Sequence, residues 1–403
     1  MKNRETCRCC NENNLFPYLN LGLQPLANSY HKGENLKKYQ LKVMLCENCF
    51  HSQLSVVVER DLMFKNYLYV SGTTETFRNH LKQLAEDAVS RVGEKLNLDV
   101  LDIACNDATL LEYFKKLGCY IQGVDPAENL QLITKKKKIP VEVNYWTQNL
   151  ARKLRKKFDI ITGTNVFAHV DDLDEFLKAC KIALKPNGLL ILEFPYCNMM
   201  IENNEFDTVY HEHLSYFLVN SFKTLIERMN FHIIDLLQTP IHGGSIRFFL
   251  KDGNGEHSNK VYRIIKLEKA KDLLDKAAYK IFSNRIHRNK KDLKNLVKKL
   301  KEKKQKMIGY GASAKGNTML NYFKLDLDYV VDDNPLKWGY FTPGRNIPIR
   351  NPNDMKLEKN GLNIVILSWN FSKEILTKIA NIRGENRSDR YILYIPTVQI
   401  KSV

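Results

Sequence analysis

Between Asp99 and Asp125 the chain reads DVLDIACNDATLLEYFKKLGCYIQGVD, and few folds accommodate that order of residues. Val100 to Ala104 is a short apolar run of strand type, and Leu110 to Leu117 repeats its apolar residues at helical spacing. A second short strand, Tyr120 to Val124, ends in Asp125, 23 residues beyond Asp102. A strand, a tight turn of small residues, a helix and a second strand tipped by an acid form the opening of a doubly wound nucleotide-binding sheet. FDIITGTNVFAHV and LLILEFPY supply further strands of the same sheet.

The turn narrows the ligand. It lacks the G-x-G-x-x-G that lets backbone approach a pyrophosphate, and it carries the acid Asp107. Negative charge there disfavours a dinucleotide and favours S-adenosylmethionine, which has no phosphate and bears a positive sulfonium. The expected cofactor contacts are Asp102, Ala104, Asn106 and Asp107 in the turn, Asp125 and Pro126 at the second strand tip, and Asn165 after the fourth strand. Asn165 and His169 are four residues apart, which puts them on one face if a helix has begun by Asn165.

The amino-terminal region has a different logic. Cys7 and Cys10 in CRCC, then Cys46 and Cys49 in CENC, form two Cys-x-x-Cys turns, and two such turns complete a tetrahedral zinc site. Four protein ligands close the coordination sphere, so the metal is expected to be structural. Cys9 lies inside the first turn and is an alternative to Cys10.

In the carboxyl-terminal third, MIGYGASAKGNTML reads as strand, small-residue turn and helix, and LDYVVDD and NIVILSW continue an α/β sheet. Free N–H groups at such a helix start suit a diphosphate. Between these regions, Lys266 to Lys306 holds 16 Lys or Arg against 5 Asp or Glu. Its Ile and Leu residues recur at helical spacing, so the segment is expected to form two amphipathic helices with solvated basic faces. This window explains most of the net charge of +17 without nucleic acid as a partner. No apolar run reaches the ~20 residues needed to span a bilayer, and no hydrophobic leader opens the chain. A cytoplasmic protein without membrane insertion is therefore expected, as a monomer or small homo-oligomer.

The stretch VYHEHLSYF crowds His211, Glu212 and His213 between Tyr210 and Tyr216. If the segment is extended, the two histidines share a side and could hold a second metal, although no third ligand is evident. Imidazole titrates where a general base must work, which makes His213 a candidate base; a packed core histidine is the competing reading, above all for His211.

Taken in order, CRCC…LNLGLQPLANSY…CENC, YLYVSGTTETF, LDIACNDATLL, TNVFAHVDDLDEF, EFPY…FDTVYHEHLSYF, HGGSIRFF and GYGASAKGNTMLNYF…VVDDNPLKWGYFTPGRNIPI resemble the C-methyltransferases that act on nucleotide-linked keto-deoxysugars. Ala104 and Ala108 stand where that family usually carries Gly. The resemblance implies an α/β fold, with a central Rossmann-like methyltransferase domain (73–250) between a small zinc module (1–72) and a Rossmann-like α/β domain that binds the sugar nucleotide (251–403). It implies S-adenosylmethionine and structural zinc as cofactors, and a nucleotide-diphosphate 4-keto-deoxysugar as substrate, methylated on carbon, at C3, through an enolate. On the same footing His213 is the base, Glu212 orients it or the substrate, Tyr210 contacts sugar oxygens, and His169 and Tyr69 face the sugar, Tyr69 being preferred to Tyr67. His242 or Ser245 beside the glycines of HGGSIR, and Ser313, Lys315, Asn317 and Arg345 toward the diphosphate, complete the substrate contacts. Methylation of sugar oxygen or nitrogen, and a nicotinamide-dependent sugar-nucleotide oxidoreductase or epimerase, are the competing activities.

Overall fold

The computed structural model describes residues 1–93, 97–302, 305–384 and 388–402. Three main sheets organise them. In the first, β1 (Leu15–Pro25) and β2 (Lys38–Cys46) pair antiparallel, with β3 (Ser52–Leu54) beside β2. Tyr39, Leu41, Val43 and Leu45 alternate inward along β2, the period-two pattern of a strand with one covered face. The fourth strand comes from far along the chain. Ser215–Tyr216 pairs antiparallel with Gln53 and Ser52, so the sheet that begins in the zinc module is completed by the HEH segment.

The second sheet contains β4 (Asp99–Ile103), β5 (Tyr120–Val124), β6 (Val141–Glu142), β7 (Phe158–Thr164), β8 (Leu184–Pro195), β9 (Phe231–Thr239) and β10 (Ser245–Asp252). Its order is β9-β10-β8-β7-β4-β5-β6, parallel from β8 to β6 and closed by the antiparallel β9–β10 hairpin. Neighbours β4 and β7 are where chain progression reverses, and in such sheets ligands bind beyond the carboxyl ends at that point. Helix α1 (Glu75–Val92) starts where the Thr74 side chain accepts from Phe77 N. Helix α2 (Thr109–Lys116) buries Leu110, Leu111 and Phe114. Behind the sheet Phe167, Phe194, Phe217, Phe222 and Phe248 pack ring to ring at 4.1–5.9 Å, fixing β8 against the segment after Ser215.

Helices α3 (Asn259–Ala270) and α4 (Lys276–Lys301) carry the basic window. Tyr279, Phe282, Ile286, Leu293, Val297 and Leu300 make the buried stripe of α4, and most of its lysines face solvent. The buried Asn289 on that stripe donates to the carbonyls of Tyr394 and Pro396.

The third sheet holds β11 (Met307–Tyr310), β12 (Tyr329–Val331), β13 (Ile349–Arg350), β14 (Asn363–Ile366), β15 (Arg390–Leu393) and β16 (Gln399–Ser402). Its order is β13-β12-β11-β14-β15-β16, with only the last strand antiparallel. This is a second doubly wound sheet, reversing between β11 and β14. Helix α5 (Ala314–Phe323) follows β11, capped by the Ser313 side chain accepting from Gly316 N. Among the described residues no helix is long and apolar enough to cross a membrane.

Candidate active site

One cavity of about 1330 Å³ runs between the carboxyl ends of the two doubly wound sheets. A single small-molecule site usually occupies roughly 300–1,000 Å³, so this space accommodates a cofactor and a second ligand together. Asp102, Ala104, Asn106, Asp107, Asp125, Pro126 and Asn165 all line it, as do Tyr69, His169, Tyr210, His213, His242, Ser313 and Lys315.

On the β4 side the turn is built from alternate left-handed residues, with Ala104 at φ 57°, Asn106 at 52° and Ala108 at 61°. Two of the three are alanines. An L-residue in this region costs roughly 1–2 kcal/mol, and the turn adopts the shape all the same because its ends are tied. Ala104 N donates to Val124 O at 2.7 Å, and Asn106 N donates to the Asp125 carboxylate at 2.8 Å. Asp125 also accepts from Ala127 N at 2.8 Å, so its side chain is held at the strand tip with lone pairs to spare. Burial raises the pKa of both Asp125 and Asp102, the latter to about 7 against the opposing hydrogen bond from Thr162. Asn165 Oδ1 lies out of solvent at the end of β7 without a hydrogen-bond partner, the kind of acceptor that a ligand donor completes. Asn165 is itself left-handed at φ 55°, and the short helix starts only at Phe167. The one-face helical argument for Asn165 and His169 therefore fails, although the end of β7 delivers both to the cavity.

Asp107 lines the cavity and also has partners within the protein. Its carboxylate accepts from Gly72 N at 3.1 Å and Thr109 Oγ1 at 2.7 Å, and Lys137 Nζ stands 3.5 Å away. The charge is thus partly offset, and Asp107 fastens the 65–74 segment over the turn. Asn106 helps, accepting from Ser71 N and donating to Tyr69 O. Close approach explains Gly72, where a Cβ would come within 2.6 Å of Asp107 and Thr109. At its other end the segment is clamped by Asn129, which exchanges two 2.9 Å bonds with the Tyr67 backbone.

The HEH segment is a turn. His213 N donates to Tyr210 O at 2.9 Å, which brings the two rings to 4.0 Å between centroids. Tyr210 Oη lies 2.6 Å from His213 Nε2, and His213 Nδ1 lies 2.8 Å from the Thr208 carbonyl. A carbonyl only accepts, so Nδ1 carries the proton and Nε2 is the basic nitrogen, receiving the Tyr210 hydroxyl. Burial, with His169, Lys315 and His242 nearby, holds the His213 pKa well below the usual range, so the ring is neutral at physiological pH. Burial likewise holds His169 and His242 at about 4. Glu212 turns away from the cavity wall and accepts from Asn28 Nδ2 at 2.7 Å and Tyr67 Oη at 3.1 Å, while burial pushes its pKa up to about 7. Tyr67 is the tyrosine bonded to the Tyr210–His213 turn, through Glu212, whereas Tyr69 lines the cavity and is 45% exposed. Asn28 escaped the sequence reading because 184 residues separate it from Glu212. His211 is buried with neither ring nitrogen partnered and packs edge-on against Tyr39, away from His213. The turn breaks the extended geometry that a metal-holding pair required.

Three expected substrate contacts lie outside the cavity. Ser245 is buried at the start of β10, opposite Pro195, and its hydroxyl donates to Ile241 O. Asn317 is fully buried in α5 and donates to Ala27 O at 2.8 Å, joining the two terminal regions. Arg345 is ion-paired with Asp326 at the surface. Ser313 and Lys315 do reach the cavity. Lys315 Nζ donates to His242 O at 3.0 Å, stands 4.5 Å over the Trp369 ring, and has the buried Glu205 carboxylate 4.0 Å behind it.

The four cysteines Cys7, Cys10, Cys46 and Cys49 bring their Sγ atoms within 4.8 Å of one another. Tetrahedral zinc with Zn–S bonds of about 2.3 Å needs sulfurs ~3.8 Å apart, and four thiols gathered this closely, two pairs of them at 3.5 Å, suit that metal. Cys9 is buried outside this group and does not replace Cys10. Arg8, inside the first turn, reaches Asp171 at 3.0 Å and the Leu214 carbonyl at 3.3 Å, which ties the metal module to the segment after His213.

Three domain families match the chain in succession. Residues 7–64 match a zinc binding domain, 77–236 a methyltransferase domain, and 240–396 the C-methyltransferase C-terminal domain. C-methyltransferase NovU from Streptomyces niveus is 28% identical over 412 aligned residues, covering 99% of this chain and 97% of its own. A ubiquinone biosynthesis O-methyltransferase from Bradyrhizobium diazoefficiens is 35% identical over 99 residues, 24% of this chain and 39% of the enzyme. The solved S-adenosylmethionine-dependent methyltransferase from Clostridium acetobutylicum aligns with 44% of this chain and 92% of its own at 16% identity, with a TM-score of 0.37, too slight an overlap to argue from.

Proposed function

We propose that this chain, an S-adenosylmethionine-dependent C-methyltransferase by its matches to three successive domain families and to NovU, methylates a carbon, C3, of a nucleotide-diphosphate 4-keto-deoxysugar in branched-sugar biosynthesis. The observation that carries this reading is the Tyr210–His213 pair, a neutral imidazole of fixed tautomer joined at 2.6 Å to a cavity-lining phenol.

Making a carbon nucleophilic beside a ketone requires removing its proton and holding the developing oxyanion in a site closed to water. Tyr210 and His213 act as one accepting unit. The phenol oxygen takes the carbon-bound proton as its own hydroxyl proton passes to His213 Nε2, leaving an enolate and an imidazolium stabilised by the Thr208 carbonyl. Bound S-adenosylmethionine supplies the electrophilic methyl group. Glu212, held by Asn28 and Tyr67, steadies the turn that carries the base, and His169, 5.0 Å from His213 between ring centroids, closes the pocket beside it. The diphosphate meets Ser313, Lys315 and the free N–H groups at the start of α5. The 65–74 segment excludes water from the cofactor side.

The test incubates the protein with methyl-labelled S-adenosylmethionine and a panel of nucleotide-diphosphate 4-keto-deoxysugars. Carbon-bound label, with C3 hydrogen exchange in deuterated water that disappears in His213→Gln, is the expected result. Label on oxygen or nitrogen, or no exchange in the native enzyme, overturns the reading.

A further inference from the structure

The two doubly wound sheets repeat one local construction. In the cofactor domain Ala104 N donates to Val124 O at 2.7 Å, and the residue after that strand is Asp125, whose carboxylate accepts from Ala127 N at 2.8 Å. In the carboxyl-terminal domain Gly311 N donates to Val331 O at 2.7 Å, and the residue after that strand is Asp332, whose carboxylate accepts from Asn334 N at 2.8 Å. The distances, the offsets and the place in the sheet agree. Asp332 is buried, lines the shared cavity, and sits 21 residues after Gly311. An acid at the tip of the second strand, beside the reversal point of such a sheet, accepts ribose hydroxyls.

From this repetition we infer that Asp332 is a ribose-binding residue, holding the nucleoside hydroxyls of the nucleotide substrate while its diphosphate lies toward Ser313 and Lys315. The inference rests on the proposed function and adds a subsite to it. Lys337 fixes the carboxylate from below, bonding Asp332 Oδ2 at 3.2 Å and the Ala312 carbonyl at 2.7 Å. Tyr30 Oη donates to the same carbonyl at 2.5 Å, so the loop after β11 and the acid after β12 are braced together by a residue of the first domain. Each Asp332 oxygen has one partner and keeps capacity for another. The glycines of this loop do not by themselves argue for a ligand: a Cβ at Gly309 or Gly316 would strike Leu367, and one at Gly311 would strike Ser368. Asp332 is therefore the residue on which nucleoside recognition turns.

The experiment measures binding of UDP, CDP, GDP, ADP and dTDP, each against its 2′,3′-dideoxy counterpart, to full-length zinc-loaded protein saturated with S-adenosylhomocysteine. The expected result is at least tenfold tighter binding of the hydroxyl-bearing member of the best pair, the scale of a hydrogen bond to a charged group. That ratio falls below threefold in Asp332→Asn, whose S-adenosylhomocysteine affinity stays unchanged and reports a folded protein. Asp125→Asn does the reverse, weakening S-adenosylhomocysteine and leaving the ratio intact. Equal affinity for both members of every pair, or a ratio that survives Asp332→Asn, overturns the inference. A methylated sugar nucleotide without this ratio removes the subsite and leaves the proposed reaction standing; the ratio without methylation does the opposite.

Discussion

Tyr67 Oη lies 3.1 Å from Glu212 Oε2, and this bond joins a segment laid over the cofactor turn to the turn that carries His213. Tyr67 is clamped through its backbone by Asn129, and Glu212 is held from its other side by Asn28. Two residues of the amino-terminal region, Asn28 and Tyr67, thus hold the turn that carries His213 at one carboxylate.

The first prediction concerns pH. Both Glu212 partners donate, so the arrangement requires the carboxylate, while burial pushes its pKa up to about 7. Turnover should fall as pH drops through 7. Tyr67→Phe removes a donor that stabilises the charged form, which raises the Glu212 pKa further. The acid limb of kcat/KM should accordingly move to higher pH in that variant, whereas Tyr69→Phe should leave the limb in place. An unmoved limb in Tyr67→Phe removes Glu212 as the titrating group.

The second concerns the proton-accepting pair. A positioned base contributes roughly 10²–10⁴ in rate, so His213→Gln should lose that much kcat with S-adenosylhomocysteine affinity retained. Tyr210→Phe should lose a similar factor. Because the two act as a unit, the double variant should be little worse than either single one. Additive losses in steady-state kinetics would separate their roles.

The third concerns the metal. Cys46→Ser should abolish stoichiometric zinc and unfold the amino-terminal module, since closed cysteine sites supply folding energy directly. Cys9→Ser should keep one zinc per chain. Emission spectroscopy for zinc, with circular dichroism for folding, reads both outcomes. The Arg8 contacts with Asp171 and Leu214 carry the loss to the active site, so chelation should also reduce turnover.

The fourth concerns the strained turn. Ala104→Gly relieves a left-handed alanine, and should stabilise the fold by about 0.5–1 kcal/mol once the extra entropy of glycine is subtracted. Ala108 is fully buried, and removing its methyl group forfeits about 0.8 kcal/mol of burial. Ala108→Gly should therefore be close to neutral. Thermal denaturation of the two variants side by side tests the difference.

What could be read from residue order alone was whatever obeys a short-range rule. Cys-x-x-Cys aims two sulfurs at one point wherever it occurs. An apolar run, a small-residue turn and a helical repeat announce a doubly wound unit, and an acid just past its second strand marks the ligand side. Asp125, the four cysteines, the lysine-faced helix α4 and the start of α5 followed from such rules because their causes lie within a few residues.

The remaining decisions were made by contacts between distant segments. Tyr67 and Tyr69 are two apart and indistinguishable by period, yet the clamp by Asn129 gives the first to Glu212 and leaves the second at the rim. Asn317 and Ser245 carry side chains suited to a substrate, and packing spends them on Ala27 O and Ile241 O instead. The amino-terminal sheet takes its last strand from Ser215–Tyr216, which places Asn28 against Glu212 across 184 residues of chain. A side chain's chemistry is local, whereas its partner is chosen by how two sheets and a hairpin close around one cavity.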